Sequence, residues 1–370
     1  MKVAGKVEES VVKEHDEWLR NFRYEEFGEE IKQLGIELKR QQGAEDLQHL
    51  YKMVRWSNTF TALGIVLAPF LPVWCMIPSV LLAVGVTSRW TMIAHHTCHG
   101  GFEKLGDPGY SRFTFGVGSL WRRFLDWFDW FLPEAWNVEH NQLHHYKLGE
   151  DTDPDLVERN MAYLRDLPMA YTMLKYLATG FIVCTWKWWY YAPNTFKFLR
   201  IAEMKKNQNI QVLRSEEARL GQLFKAPLVL TNFLFGKADD RPTFVSLVDF
   251  LMRVMLPFVA YRFFLLPYCM YTVSATLCSC CVSFFPVCGN CSYWTIVGHF
   301  VVADIVANLH SFIIIGKTTL GRECGSSTYT CIVLTILCCV FCCLFQVRII
   351  VAMICIVFQH RVVLRPQRFI

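Results

Sequence analysis

Hydrophobic and polar positions divide the chain into a polar beginning and a series of long apolar segments. Residues 1–56 are densely charged without an apolar core, so we expect a cytosolic segment that contains a helix over Tyr24–Arg40. Residues 58–94 then contain a single charge, with three prolines near their middle. That length has room for two membrane spans that turn near Pro72–Pro78. The second span would end at His95.

Later apolar segments extend this pattern. The segments of about Phe244–Met270 and about Trp294–Ile315 are each long enough to span a bilayer. Residues 170–186 are shorter and either span or lie on the surface, and Tyr329–Phe358 could form one more span. We therefore predict an all-α integral membrane protein with about four transmembrane helices, or five or six if the last two segments also span.

Charges close to these segments give two further predictions. Residues 120–137 combine four Trp and three Phe with both basic and acidic side chains, which is typical of a helix in the headgroup region. Asp249 and Arg253 are four residues apart, so they can pair on one helix face and lower the cost of charge in lipid.

Composition agrees with a membrane protein. Hydrophobic residues make up 53% and charged residues 19% of the chain, against about 45–50% and about 25% in soluble domains. The net charge of +5 is mild, and no basic tract interleaved with aromatic residues predicts a nucleic-acid partner. We find neither a signal-peptide pattern nor a His-Pro-Gly-Gly haem motif, so we expect no fused haem domain.

Cysteines are unevenly distributed, since thirteen of sixteen fall in Cys269–Cys291 and Cys324–Cys355. The sequence CGNC at 288–291 has the CxxC spacing of zinc sites. Its surroundings are apolar and aromatic, which favours a structural interpretation over zinc binding.

Histidines give the chemical signal, since six of eleven fall between residues 95 and 145, in HHTCH and HNQLHH. In an α-helix, residues four apart share a face, so His95 can pair with His99 and His140 with His144. His145 would then point elsewhere and could reach a second ion. A lone histidine is usually structural, but two such clusters beside membrane segments predict a metal site. Neutral imidazoles suit iron, copper, nickel and zinc alike.

The two clusters resemble the HxxxH and HxxxHH boxes of the membrane fatty acid desaturase superfamily. Residues that flank them strengthen the resemblance: Gly100 and Gly101 after the first box, Trp136 and Asn137 before the second, and DPDL at 153–156 after it. The resemblance covers roughly residues 50–316, so that we divide the chain into a cytosolic segment 1–56, a membrane domain 57–316 and a tail 317–370. Related hydroxylases share the same boxes.

The resemblance implies a cofactor of two iron ions, a reaction and a set of partners. The implied ligands are His95, His99, His140, His144 and His145, with His96 and His310 as further candidates. The irons would use O2 and two electrons to insert a cis double bond into a fatty acyl lipid or acyl-CoA, with cytochrome b5 and its reductase as electron donors. Three acidic residues, Asp151, Asp153 and Asp155, either orient the second box or form a capped turn.

Location follows from charge and from the resemblance. Residues 1–56 contain ten Lys and Arg residues, whereas the predicted turn near 72–78 contains none. By the positive-inside rule, the N-terminus and the histidine boxes face the cytosol. A desaturase dependent on cytochrome b5 is expected in the endoplasmic reticulum.

The chain departs from the family after its last spans. The family's third box, [HQ]xxHH, is missing, since only His299, His310 and His360 follow residue 145. We interpret the Cys-rich apolar tail 317–370 as a possible gene-model artefact, which sequencing of the transcript would test. The loss of about three ligands predicts that the chain as written is inactive or nearly so. A non-catalytic membrane protein of the same fold and a lipid hydroxylase are the alternatives to a desaturase.

Overall fold

The computed structural model describes residues 21–126, 129–130, 132–148, 150, 152–156, 166–206, 248–281 and 292–320, with residues 279–281 and 313–320 described by their backbone alone. These residues are predominantly helical and include no strand. Asp151, the CGNC sequence, the predicted span Tyr329–Phe358 and the tail from residue 321 lie outside them. The chain divides into two compact units, Met1–His49 and Leu50–Ile370.

The α-helices, in chain order, are α1 Tyr24–Gln41, α2 Ala44–Leu67, α3 Ile77–Ser88, α4 His95–Cys98, α5 Leu120–Asp126, α6 Pro133–Glu139, α7 His145–Lys147, α8 Thr172–Trp186, α9 Ala192–Lys206, α10 Leu256–Val259, α11 Leu266–Cys281 and α12 Tyr293–Leu320. Five π-helical turns lie between consecutive helices, at Arg89–Ala94, His140–His144, Lys187–Tyr191, Leu251–Met255 and Ala260–Leu265.

The first unit contains α1, which matches the predicted helix to within one residue. Glu25 and Glu26 occupy its first turn and Lys39 and Arg40 its last. This arrangement of charge complements the helix dipole at both ends. None of the residues of α1 is buried.

A tight hairpin joins α2 to α3 in the second unit, as the prolines predicted. The chain turns through a short 3₁₀ helix, Val73–Cys75, and through Met76 with a φ of 59°. Close contact between the helices depends on Gly85, where a Cβ would lie 2.1 Å from Thr61 Oγ1. Ser57 Oγ donates a hydrogen bond of 2.9 Å to the Gly85 carbonyl. Small residues at a crossing let two backbones approach in this way.

Three helical segments of the described chain are long and apolar enough to cross a membrane: Ile77–Cys98, Val248–Cys278 and Tyr293–Phe312. They correspond to three of the predicted spans. The predicted span before the hairpin belongs to α2, which carries Lys52 and Arg55 and so lacks a sufficient apolar length. Helix α8 continues through the turn Lys187–Tyr191 into α9, and this run is not among the three.

The core of the second unit lies where α12 packs against α3 and α11. Leu82, Met270, Ile296 and Phe300 are among its buried side chains. Next to them, the fully buried His299 joins α12 to the hairpin. Its Nε2 lies 2.8 Å from the Leu71 carbonyl oxygen, and its Nδ1 lies 2.8 Å from Ser79 Oγ.

Charged side chains also connect the helices. Arg262 and Asp304 form a buried ion pair of 2.6 Å between two of the three candidate spans. Asp249 and Arg253 pair at 3.4 Å as predicted, and Arg253 also contacts Glu203 at 3.0 Å. Such pairing lowers the cost of placing charge away from water.

Residues 120–137 do not form the single interfacial helix that their composition suggested. They fold instead into α5 and α6, because Pro133 begins a new helix and fixes the preceding residue in an extended conformation. Asp129 is buried against Lys187, with 2.9 Å between the charged atoms. Trp130 is buried as well, and its indole N–H donates to Asp304 at 3.4 Å. The prediction of one continuous helix was therefore wrong, and part of its charge and aromatic surface is buried, although Trp121 remains 68% exposed.

Candidate metal centre

Two π-helical turns set the positions of the histidines. The turn Arg89–Ala94 leads directly into α4, whose first residue is His95. The turn His140–His144 connects α6 to α7, and the backbone N–H of His145 bonds to the carbonyl of His140. This i→i+5 bond is the mark of a π-helix, and such turns are frequent at functional sites. It brings side chains five residues apart onto the same face.

Four imidazoles converge from these two segments. One ring nitrogen from each of His95, His99, His140 and His145 lies within 4.8 Å of the other three. The Nε2 atoms of His140 and His145 are 3.0 Å apart. At this distance, either one ring donates an N–H to the lone pair of the other, or both lone pairs face a shared cation. His145 is exposed and the other three are partly buried, so the group is reached from one side.

The second segment matches the expected arrangement only in part. We predicted that His140 and His144 share a face and that His145 points away, because we assumed an α-helix. The rings of His140 and His144 do stack, with centroids 5.2 Å apart. The π-turn also brings His145 beside His140, and His145 rather than His144 completes the four-imidazole group. His144 directs its Nδ1 to Asp153 Oδ1 at 2.8 Å, which leaves its Nε2 as the nitrogen available to a ligand.

Trp136 forms the inner wall of the site. This fully buried ring stacks on His140 with centroids 4.1 Å apart and meets His95 edge-on at 5.3 Å. Its position restricts the orientation of both imidazoles and excludes water from their inner side. The sequence comparison with the desaturase boxes included this tryptophan only as a flanking residue.

Asn141 and Arg112 hold the histidine segments by hydrogen bonds to backbone carbonyls. The sequence interpretation gave neither residue a role at the site. Asn141 donates to the Cys98 carbonyl at 2.7 Å, across the two histidine segments. Arg112 donates to the His99 carbonyl at 3.2 Å. Gly100, with a φ of 78°, makes room for this guanidinium, because a Cβ there would lie 2.0 Å from Arg112 Nη2. A glycine after a histidine box was the available signal, since glycine readily adopts positive φ.

The acidic run behind the second segment combines both roles that we considered. Asp153 is buried, and its Oδ1 accepts from the Asp155 backbone N–H at 2.9 Å, which forms the capped turn. The same oxygen contacts His144, which is the ligand-orienting arrangement. Asp155 contacts the Tyr190 hydroxyl at 3.5 Å, and Asp151 lies outside the described residues.

His96 and His310, the two further ligand candidates, do not join the four-imidazole group. His96 is exposed, and its ring centroid is 6.1 Å from that of His95. His310 is exposed on α12. Within the described parts of the chain, no second group of three metal-binding side chains converges in this way.

Burial keeps the converging imidazoles neutral. Burial, with the neighbouring imidazoles adding to it, lowers the pKa of His99 to about 4 and that of His140 to about 2. Burial also raises the pKa of Glu139 well above its ordinary value, and the nearby Asp155 and Asp153 raise it further. The site therefore presents uncharged ring nitrogens at neutral pH, which is the form that binds metals.

The donor set fits one first-row transition metal ion. Neutral imidazoles bind iron, copper, nickel and zinc, and an exposed position beside His145 leaves room for an added ligand. His140 Nδ1 is buried without a hydrogen-bond partner, so the protein does not fix which of its nitrogens is protonated. The four imidazoles can hold one iron ion, and His144 offers a further nitrogen beside them.

A largely apolar cavity of about 180 Å³ lies between the candidate spans. Ala94, the residue before His95, belongs to its lining together with Leu82, Leu266 and Phe300. Arg89 lies at its polar side and donates to the Leu125 carbonyl at 3.3 Å and to the Asn58 side chain. The cavity therefore adjoins the helical segment Ile77–Cys98, which carries the first histidine near its end.

Comparisons with known proteins add no relative to this picture. No known family's sequence profile matches the chain, no curated protein is similar to it in sequence, and no solved structure matches its fold.

Proposed function

We propose that this chain is a membrane-bound, iron-dependent fatty acyl desaturase by lineage, with impaired activity as written. The observation that carries the proposal is the convergence of four imidazoles from two segments at the end of a helix long enough to span a membrane. The resemblance of those segments to the desaturase boxes supplies the reaction. The membrane would be that of the endoplasmic reticulum, with the histidines on its cytosolic side.

His95, His99, His140 and His145 would hold one iron, and His144 would contribute to a second. Iron bound there would supply the oxidation of an unactivated C–H bond, with O2 and two electrons delivered by cytochrome b5 and its reductase. In balance, two hydrogens leave adjacent methylenes, and O2 with two electrons and two protons becomes two waters.

The chain's own residues would bind the substrate and exclude water. The largely apolar cavity, whose lining includes Ala94 next to His95 in sequence, would accept part of an acyl chain. Trp136 would shield the inner side of the histidines from water, while His145 remains exposed on the other side. Asp153 would keep the His144 ring in position by accepting its Nδ1–H.

The experiment is a metal and product analysis of the full chain expressed in a host that lacks polyunsaturated lipids. We expect iron to bind through the four-imidazole group, and His95→Ala to abolish that binding. Products with a new double bond would establish desaturation, and hydroxylated products would assign the hydroxylase alternative. Iron at two per chain with efficient desaturation would contradict the predicted impairment.

A non-catalytic membrane protein is the second candidate, and one observation favours it. The described residues assemble a group for a single ion, whereas the desaturase reaction implies two. Binding of one metal ion per chain, unchanged redox state in the presence of reductant and O2, and no altered lipid would assign this function.

A further inference from the structure

We propose that α1 pairs in parallel with α1 of a second copy of this chain, through a short two-stranded coiled coil outside the membrane. The inference starts from a row of large apolar side chains on α1 that remain about half exposed among the described residues, although Phe22 contacts the first two of them at 4.8 and 5.1 Å. The five members of the row are each between 49% and 59% exposed: Tyr24, Phe27, Ile31, Leu34 and Leu38. Helical spacing of five large apolar residues on a charged helix is unexpected for a merely solvated segment.

The spacing of this row is that of a coiled-coil seam. Successive members are three, four, three and four residues apart, which are the a and d positions of a heptad repeat. The seam extends over about 21 Å at 1.5 Å per residue. A strict a/d row is narrower than the apolar face by which a helix packs against a globular core. It therefore favours another helix as the occupant.

Charge argues against a lipid surface. Helices that lie in a membrane interface are rich in Lys and Arg on the polar face. Helix α1 has five glutamates against three basic residues, and two of the glutamates, Glu30 and Glu37, flank the seam at g positions. Anionic headgroups would repel these side chains, so a second helix is the better partner.

The residues beside the seam select a parallel pair of identical helices. The e positions are Gly28 and Gly35, where a Cβ would meet nothing within 4 Å. In a parallel pair, Glu30 of one copy faces Gly35 of the other, so no like charges meet and the backbones can approach closely. In an antiparallel pair, Glu30 would lie beside Glu37 of the other copy and be repelled.

The test is photocrosslinking of the full chain in membranes, which avoids interference from the native cysteines. The probe is p-benzoylphenylalanine placed at position 31, in the seam, with position 29 on the opposite face as the matched control. We expect a band of twice the chain mass from position 31 and about tenfold less from position 29. Leu34→Asp should reduce the band about tenfold, a loss of ~1.4 kcal/mol in association free energy. Lys32→Asp, on the polar face, should leave it unchanged.

Each other outcome overturns the proposal. A lipid adduct at position 31 would assign α1 to the membrane surface, and an adduct of different mass would assign another protein. A crosslink within one chain would show that the row is covered by the chain itself. Equal dimer bands from positions 29 and 31 would show contact without a seam, and no adduct at all would show a solvated helix. Because the readout concerns α1 alone, it does not depend on the metal site or on lipid oxidation.

Discussion

The single histidine His299 and the four-imidazole group have opposite surroundings. At His299, both ring nitrogens are used: the Leu71 carbonyl can only accept, so Nε2 carries the proton, and Ser79 donates to Nδ1. In the four-imidazole group, ring nitrogens face one another, and His140 Nδ1 has no partner although it is buried. A structural histidine has its hydrogen bonds supplied by the protein, whereas a ligand histidine keeps a nitrogen free for a metal.

Removing one histidine from each group gives the largest expected contrast. His140→Ala should weaken binding of iron(II) by more than about 100-fold, because loss of an outer partner alone costs about 10–100-fold and this change removes a ligand. His299→Ala should leave the metal affinity within about twofold, because its nitrogens already bind within the protein. Metal content of the purified proteins at fixed free iron(II) measures both. Equal losses in the two variants would show that the four-imidazole group is not the metal site.

The pH dependence of metal binding sharpens the same contrast. Because burial lowers the pKa of His99 to about 4 and that of His140 to about 2, their neutral forms persist below the ordinary value of 6.5. Metal should therefore stay bound further into the acid range than on ordinary imidazoles, and the affinity should fall as the pH approaches 4, where a proton begins to compete at His99. Cobalt(II) absorption across a pH series measures this, with a histidine-containing peptide as the control. Half-release between pH 6 and 7 would show ordinary, solvated imidazoles.

His144 lies between the two extremes, since one nitrogen is bonded within the protein and the other is available. Asp153→Ala should lower metal affinity about 10–100-fold by freeing the His144 ring, if that ring contributes a ligand. The comparison variant is Asp153→Asn, which retains an oxygen at the position of Oδ1 and should lose much less. Isothermal titration of both variants with iron(II) under anaerobic conditions measures the difference. An unchanged affinity in Asp153→Ala would place His144 outside the metal site.

Sequence reasoning identified the histidines of the four-imidazole group but not their geometry. Residue types alone predicted three features: the clustering of histidines at 95–99 and 140–145, the hairpin at Pro72–Pro78 and the Asp249–Arg253 pair. The pairing of His140 with His145 depends on a π-turn, which the assumption of an ideal α-helix excludes. The roles of Arg112 and Asn141 could not be predicted, because each reaches a backbone carbonyl that only the tertiary fold brings near.

The smallest expected effect tests the structural side of the comparison. Ser79→Ala removes the donor to His299 Nδ1 and leaves that buried nitrogen unsatisfied, at a cost of about 1–3 kcal/mol in the free energy of unfolding. Thr276→Ala, at an exposed hydroxyl on α11, should change stability by less than about 0.5 kcal/mol. Thermal unfolding in detergent measures both, and iron content should be the same in the two variants and in the unaltered chain.

A loss of iron in Ser79→Ala without a loss of stability would contradict the assignment, because it would make His299 part of the metal site. A loss of stability alone would show that His299 joins α12 to the hairpin and takes no part in metal binding.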